Sequence, residues 1–371
     1  MKLKNPFITE GYAGRDYFCD REDEAAEMLT ALAAGRNITL ISPRRMGKTG
    51  LIKRVFEEAQ ARGVKCFYID ILNTRTLNDF IQLFANALLG GFDGPLTAAF
   101  NALTKVFKSC RPTLTADATT GMPTLSLDIQ KGEEIHTLKE VFDYIGAKKQ
   151  ECYVAIDEFQ QVAEYPETNT EALLRSYIQF VPNITFVFSG SKKHLMQEMF
   201  ASPKRPFYQS AQTLSLKAID QARYADFAAL WFSRDNRELP RECFDRIYST
   251  VMAHTWYIQY WLSMLYDYSA GTVSLDAVDE VLARILRMEE DNFLQYMRLM
   301  NKTQQRIAVA IAKEGAVGQP LAKEFLQRHA LPAASTVSSA LRTMLESDIL
   351  MEEQGVYSVY NRFFMLWLRR L

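Results

Sequence analysis

The sequence predicts an α/β fold in which a parallel sheet with interleaved helices precedes a helical lid and a winged helix-turn-helix. Three observations predict it. Short apolar, β-branched runs alternate with helical stretches up to residue 218, as in a parallel sheet. From residue 219 to 300 the strands stop and amphipathic helices follow one another. Beyond residue 300 the order is helix, helix, turn, helix and hairpin.

Taken in order, residues 37–41 are apolar and β-branched, and Leu51, Ile52, Val55, Phe56 and Ala59 then recur at helical spacing until Gly63 ends the helix. Residues 66–70, 152–157 and 184–189 are three more strands, 213–216 is a fifth, and 78–89 and 137–149 are helices between them. Residues 92–134 are too long for a simple connection, and the runs 113–117 and 124–129 around a Thr-Thr-Gly turn predict an inserted hairpin. In the lid, Trp231, Trp256, Tyr257 and Trp261 are apolar anchors, with Trp256 and Tyr257 the two that also invite a ligand-contact reading. The last segment predicts helices at 304–313, 321–329 and 335–346. Val337, Ala340, Leu341, Met344 and Leu345 form one face of the third, and a hairpin turns at Gln354-Gly355. The domains expected are therefore 1–218, 219–300 and 301–371.

A chain of 371 residues holds two or three domains with real cores, and a net charge of -1 argues against wholesale affinity for nucleic acid or anionic membrane. Cys19, Cys66, Cys110, Cys152 and Cys243 are scattered, without a zinc spacing, and read as core thiols in a reducing compartment. Residues 1–18 lack a signal-peptide core and no apolar run spans a bilayer, so the expectation is a cytoplasmic protein without a membrane partner.

The chemistry concentrates at Ser42-Pro-Arg-Arg-Met-Gly-Lys-Thr49, one residue short of the phosphate-loop pattern G-x-x-x-x-G-K-[ST] and set between a strand and a helix. In that setting the amides of Ser42, Pro43, Arg44, Arg45, Met46, Gly47 and Gly50 surround phosphates, allowing for proline's missing N–H, while the helix N-terminus favours the anion. Lys48 reaches the outer phosphates and the Thr49 hydroxyl ligates Mg2+. Ser42 replaces the first glycine, which raises the question of whether serine accepts the backbone angles there. Arg44 and Arg45 could bind nucleotide or an acidic surface, or be plainly solvated.

The strand ending in Asp157-Glu158 supplies the other half of a hydrolytic site. A parallel strand beside the phosphate-loop strand is expected to bring Asp157 to the metal, and Glu158 is placed as general base toward the attacking water. Ser189-Gly190-Ser191 closes the next strand, with Ser191 slightly preferred over Ser189 as the polar group sensing the γ-phosphate. Arg175, Arg205 and Lys192 are candidate cations for the transferring phosphoryl group, in cis or from a neighbouring subunit.

These motifs together resemble the archaeal-type ATPase family, in the signal-transduction (STAND) branch of P-loop ATPases related to AAA+ proteins (an ASCE-like fold). The residues carrying the resemblance are Pro43-Arg-Arg-Met-Gly-Lys-Thr49, Ala155-Ile-Asp-Glu-Phe-Gln-Gln161 and Ser189-Gly-Ser191 before a helix. Phe18-Cys-Asp-Arg-Glu-Asp-Glu24 is similar to the family's Phe-x-x-Arg-Glu-x-Glu box near the adenine, which implies nucleotide-binding roles for Phe18 and Arg21. The resemblance implies ATP as ligand, a five-stranded parallel sheet, and ATP-dependent switching more than fast turnover. The chain departs from the family at Ser42, at Pro206-Phe-Tyr-Gln-Ser210, where relatives often carry an arginine, and at His254-Thr-Trp-Tyr-Ile-Gln259, where the lid usually has Gly-x-Pro.

Partners are less determined. Ser335, Thr336, Ser338, Ser339 and Arg342 give the third helix of the winged helix one charge, and residues 301–371 carry nine Lys or Arg against six Asp or Glu, a net of +3. That is weak for a duplex-binding module, so docking to an unknown protein partner or within the molecule is preferred and DNA is the alternative. The readings weighed are a slowly hydrolysing ATP-driven switch, with a homo-oligomer as one option, an ATP-sensing DNA-binding regulator, and an ATP-bound scaffold.

Overall fold

The computed structural model describes residues 3–92, 108–116 and 123–371, which form two compact units. One is Glu10–Ala218; the other joins the N-terminal segment up to Thr9 with Ile219–Leu371.

The first unit is built on five parallel strands: β1 (Ile38–Ile41), β2 (Lys65–Asp70), β5 (Cys152–Asp157), β6 (Ile184–Gly190) and β7 (Gln212–Ser215), in the spatial order β2-β5-β6-β1-β7. Both faces are covered, and the side chains alternate between them at the two-residue period of a strand. Leu40, Ala155 and Val187 face one core with α1 (Glu22–Ala33) and α2 (Lys48–Ala61). Ile41, Val154, Ile156, Phe186 and Phe188 face the other, with α3 (Leu77–Phe92) and α4 (Glu134–Ala147). The order corrects one expectation. The strand bearing Asp157 does not lie beside β1, because β6 is inserted between β5 and β1 and pairs with both. Spacing along a chain predicts strands but not their lateral order, which is decided by how successive crossovers fill the sheet.

The inserted hairpin pairs β3 (Cys110–Ala116) with β4 (Pro123–Ile129) in antiparallel register. Gln82 on α3 fastens it by bonds to the backbone of Leu127, and Leu127 and Cys110 enter the sheet core. Its Thr-Thr-Gly turn, like residues 93–107, lies outside the described residues. Among the described residues two further helices belong to the unit, α5 (Thr170–Ile178) and α6 (Lys193–Ala201).

The second unit begins with α7 (Gln221–Ser233), α8 (Arg241–Thr250), α9 (Thr255–Tyr268), α10 (Leu275–Met288) and α11 (Glu290–Leu299). The winged helix follows as α12 (Lys302–Glu314), α13 (Lys323–Arg328), α14 (Ala334–Glu346), β8 (Leu350–Glu353) and β9 (Val356–Val359). A capping box between Asn301 and Gln304 starts α12. Gln354 and Gly355, at φ 53° and 81°, make the two-residue turn between β8 and β9. Trp231, Trp261 and Tyr257 pack as core, whereas Trp256 is half-buried and stacks on Tyr260 with centroids 5.1 Å apart.

Two features of this unit had no forecast. Helix α15 (Arg362–Leu368) is buried throughout, its Phe363 ring 5.0 Å from Tyr257 and its Phe364 ring 5.5 Å from Phe293. It thereby joins winged helix and lid into one core. The N-terminal segment packs here as well: Phe7 lies 5.7 Å from Phe232 and 5.6 Å from Tyr266, and Asn5 Nδ2 donates to Ser263 O at 3.0 Å.

Candidate nucleotide site

The loop between β1 and α2 has the backbone an anion requires. Arg45 (φ 64°) and Gly47 (φ 97°) are left-handed, and alternation of this kind turns successive amides toward one point at the N-terminus of α2. Ser42 is not among the left-handed residues. It precedes Pro43, a setting that favours extended backbone, so serine is accommodated where the pattern has glycine. Its side chain is sealed, with Oγ donating to Pro43 O at 3.2 Å.

Lys48 is 6% exposed and its Nζ donates to Ser42 O at 2.9 Å and Pro43 O at 3.1 Å, closing the loop on itself. Burial pulls its pKa below the ordinary lysine value, and the charges of Glu158 and Asp157 oppose that pull.

The carboxyl ends of β5 and β6 bring the acidic side to the same place. Thr49 Oγ1 donates to Asp157 Oδ2 at 3.0 Å, and the Tyr68 hydroxyl from β2 donates to the same oxygen. Glu158, at φ 56°, turns its amide onto Asp157 Oδ1 (3.0 Å). Its own Oε2 accepts from Ser191 Oγ at 2.7 Å, Ser191 N at 3.3 Å and Gln160 Nε2 at 2.5 Å. Arg44 Nε, from the phosphate loop, donates to Ser191 Oγ at 3.3 Å. Lys48, Thr49, Asp157, Glu158, Ser191 and Arg44 are therefore one constellation, whereas Ser189 is wholly buried within the sheet.

Phe18 and Arg21 stand behind the loop. The Phe18 ring lies on Gly50 so closely that a Cβ there would come within 2.6 Å of it, and Arg54 sits 5.7 Å over the ring. Arg21 is buried; it pairs with Glu24 at 2.7 Å and donates to Lys217 O at 2.6 Å and, at the 3.5 Å limit, to Met46 O. Met46 is buried, whereas Arg44 and Arg45 are exposed and Pro43 half-buried. Of the candidate cations, Arg205 is paired with Glu171 and Glu198, and Lys192 with Glu164 at 2.5 Å.

Sequence reasoning missed Tyr68, Asp70, Gln160 and Arg54. Asp70 ends β2 directly opposite Asp157, and burial raises its carboxyl above the ordinary range, reinforced by the charges of Asp157 and Glu158. Burial and Asp157 likewise push the Tyr68 phenol up. A signal existed: Tyr68 and Asp70 lie on one face of a strand ending where the others end, and Gln160 stands inside the Asp-Glu-Phe-Gln motif. Among the described residues, no group of three or more His, Cys, Asp or Glu could hold a metal alone. The Thr49 hydroxyl and Asp157 carboxylate are hard oxygen donors 3.0 Å apart and fit Mg2+ if phosphate and water supply its other ligands.

A five-stranded parallel sheet in this order, with a phosphate loop after β1 and acidic residues after β5, defines a P-loop NTPase. The family model described as an ATPase domain predominantly from Archaea matches residues 18–260, and the chain belongs to that family. A probable winged helix domain matches residues 291–370. Among solved structures the chain is similar to the Walker-type ATPase of Pyrococcus abyssi, with TM-score 0.65 and 16% identity over 98% of this chain and 99% of that one. The Aeropyrum pernix ORC2 protein, solved as ADPNP and ADP complexes, gives TM-score 0.59 and 14% identity over 99% and 96%. The A. pernix ORC1 protein in complex with DNA gives 0.52 and 13% over 95% and 93%. At these identities the likeness is one of fold. No curated protein matches the chain significantly. No helix among the described residues is long and apolar enough to cross a membrane.

Proposed function

We propose that the protein binds and slowly hydrolyses ATP with Mg2+, and that the nucleotide state biases the arrangement of its two units, making it a conformational switch. The observation that carries this reading is the Thr49–Asp157 hydrogen bond of 3.0 Å, which joins the phosphate loop to the acidic strand end. Thr49 and Asp157 would hold Mg2+, which neutralises phosphate charge when bound. Residues 42–50 would cradle the phosphates, Lys48 would neutralise the outer ones, and Phe18 and Arg21 would shape the base side. In hydrolysis the water oxygen bonds to the γ-phosphorus as the bond to the ADP oxygen breaks. Glu158 takes the water proton and Ser191 holds Glu158 in place. A switch further requires ATP to bind two arrangements with different affinity.

Two variants test it. Lys48→Ala is expected to abolish ATP-induced thermal stabilisation. Glu158→Gln is expected to keep that stabilisation and lower phosphate release by about 100-fold or more. Equal release by wild type and Glu158→Gln would remove the assignment of the base.

A second reading, an ATP-sensing DNA-binding regulator, draws support from the DNA complex of the A. pernix ORC1 relative. Against it stand the modest charge of residues 301–371 and the mainly hydroxyl face of α14. Salt-dependent duplex binding by the full chain would favour it, and no binding at low salt would retire it.

A further inference from the structure

Among the described residues three donors reach Glu158, and all three fall on the same oxygen. Ser191 supplies two through its amide and hydroxyl, and Gln160 Nε2 the third, at 2.5 Å from Oε2. Oε1 is left outside this set, so the two oxygens of one carboxylate differ in what they can do. A base that must meet a water from one direction gains from that asymmetry, because one tethered oxygen fixes where the lone pairs of the other point.

Gln160 is built to hold the tether. It is 1% exposed, on a short 3-10 turn whose first residue, Phe159, is locked among Phe188, Phe200 and Phe207 with ring centroids 4.7 to 5.9 Å away. The backbone at Gln160 therefore cannot drift without breaking an aromatic cluster. The carboxamide itself rests on Gly190 at the end of β6: a Cβ at that position would collide with Gln160 Oε1 and come within 2.5 Å of Met196. Turning the amide over would set its carbonyl against the Glu158 carboxylate, two acceptors facing each other, so only one orientation is favourable. No hydrogen bond from the Gln160 side chain to residues 42–50 occurs among the described residues; it acts through Glu158.

We propose that Gln160 is a positioning residue of the hydrolytic base, joining Ser191 in tethering Glu158 Oε2 so that Oε1 takes the water proton, and that Gly190 is the seat admitting its carboxamide. This rests on Glu158 being the base. It assigns a role to the fourth residue of the Asp-Glu-Phe-Gln motif and a reason for glycine in Ser-Gly-Ser.

The test compares steady-state phosphate release, ATP affinity and thermal stability of the full chain with Mg2+. Gln160→Met keeps length and packing but has no N–H, and is expected to lower kcat about tenfold while ATP affinity stays within twofold of wild type. Gln160→Glu faces Glu158 with a second carboxylate and is expected to lose more. In the Glu158→Gln background, Gln160→Met is expected to change residual release by less than twofold, because the group it positions is already gone. Turnover of Gln160→Met within twofold of wild type, or a full tenfold further loss in the Glu158→Gln background, overturns the proposal and leaves the base assignment standing. Wild-type release no faster than Glu158→Gln overturns both.

Discussion

The sheet unit and the C-terminal unit both seal aromatic cores from solvent but place their buried charges differently. In the first, beside a phenylalanine core, Arg21, Lys48, Arg54 and Asp157 are buried around one loop; in the second, the largest sealed side chains are Trp261, Tyr224, Phe232, Phe244 and Phe293, and Arg362 is buried away from any such loop. Burying charge is unfavourable unless partners replace water. The buried charges around the loop have them: Arg21 has Glu24 and the Lys217 carbonyl, Lys48 has the Ser42 and Pro43 carbonyls, Arg54 has Glu22 and the Asp20 carbonyl, and Asp157 has Thr49, Tyr68 and the Glu158 amide. Charges held this way fix the loop and the acidic strand end in place, whereas the buried aromatic side chains of the other unit hold its helices together. The difference teaches where substitutions should register as lost stability and where as lost binding.

The largest effect is expected in the C-terminal unit. Trp261 is fully buried and donates Nε1 to Val278 O at 3.2 Å, so Trp261→Ala should destabilise that unit by about 3–5 kcal/mol, read by urea or thermal unfolding. ATP affinity below the transition should stay within about twofold. A parallel collapse of ATP affinity would break the division of labour.

Gly50→Ala should do the converse. The helix would accept alanine, but its Cβ would lie 2.6 Å from the Phe18 ring, and overpacking of this kind costs about 1–3 kcal/mol. Phe18 must move off the loop, so ATP affinity should fall about tenfold with a smaller change in unfolding temperature. Adding Phe18→Ala should relieve the strain; if unfolding temperature does not recover, the ring is not what the new methyl meets.

What was legible in the sequence divides along similar lines. The strand, loop and helix around residues 38–61 are local: β-branched residues, a left-handed glycine and a helical stripe lie next to one another in the chain. Asp157 and Glu158 were legible because an apolar strand ending in two acids is also a local pattern. The lateral order of the strands was not, since the neighbour of β1 is decided by β6, more than 140 residues downstream. Nor was the packing of Phe7 against Phe232 and Tyr266, because a short apolar segment at a terminus carries no periodicity. Tyr68 and Gln160 were visible as residues but not as partners of Asp157 and Glu158, for their roles exist only once three strand ends share an edge.

Ser42 gives the smallest and sharpest test of the sheet unit. Its place in the motif made it look like a defect, a serine where glycine frees the backbone. Its backbone is nevertheless outside the left-handed region, and Pro43 after it favours the extended form. Ser42→Gly should therefore gain nothing for the nucleotide: ATP affinity is expected within about twofold of wild type. Stability should fall by up to about 1 kcal/mol, because glycine gives the unfolded chain freedom that folding must remove. Calorimetric titration with ATP and Mg2+, beside an unfolding curve, reads both. A tenfold gain in affinity would mean that the serine does loosen the loop, and that satisfied hydrogen bonds around Lys48 are not sufficient to shape a phosphate site.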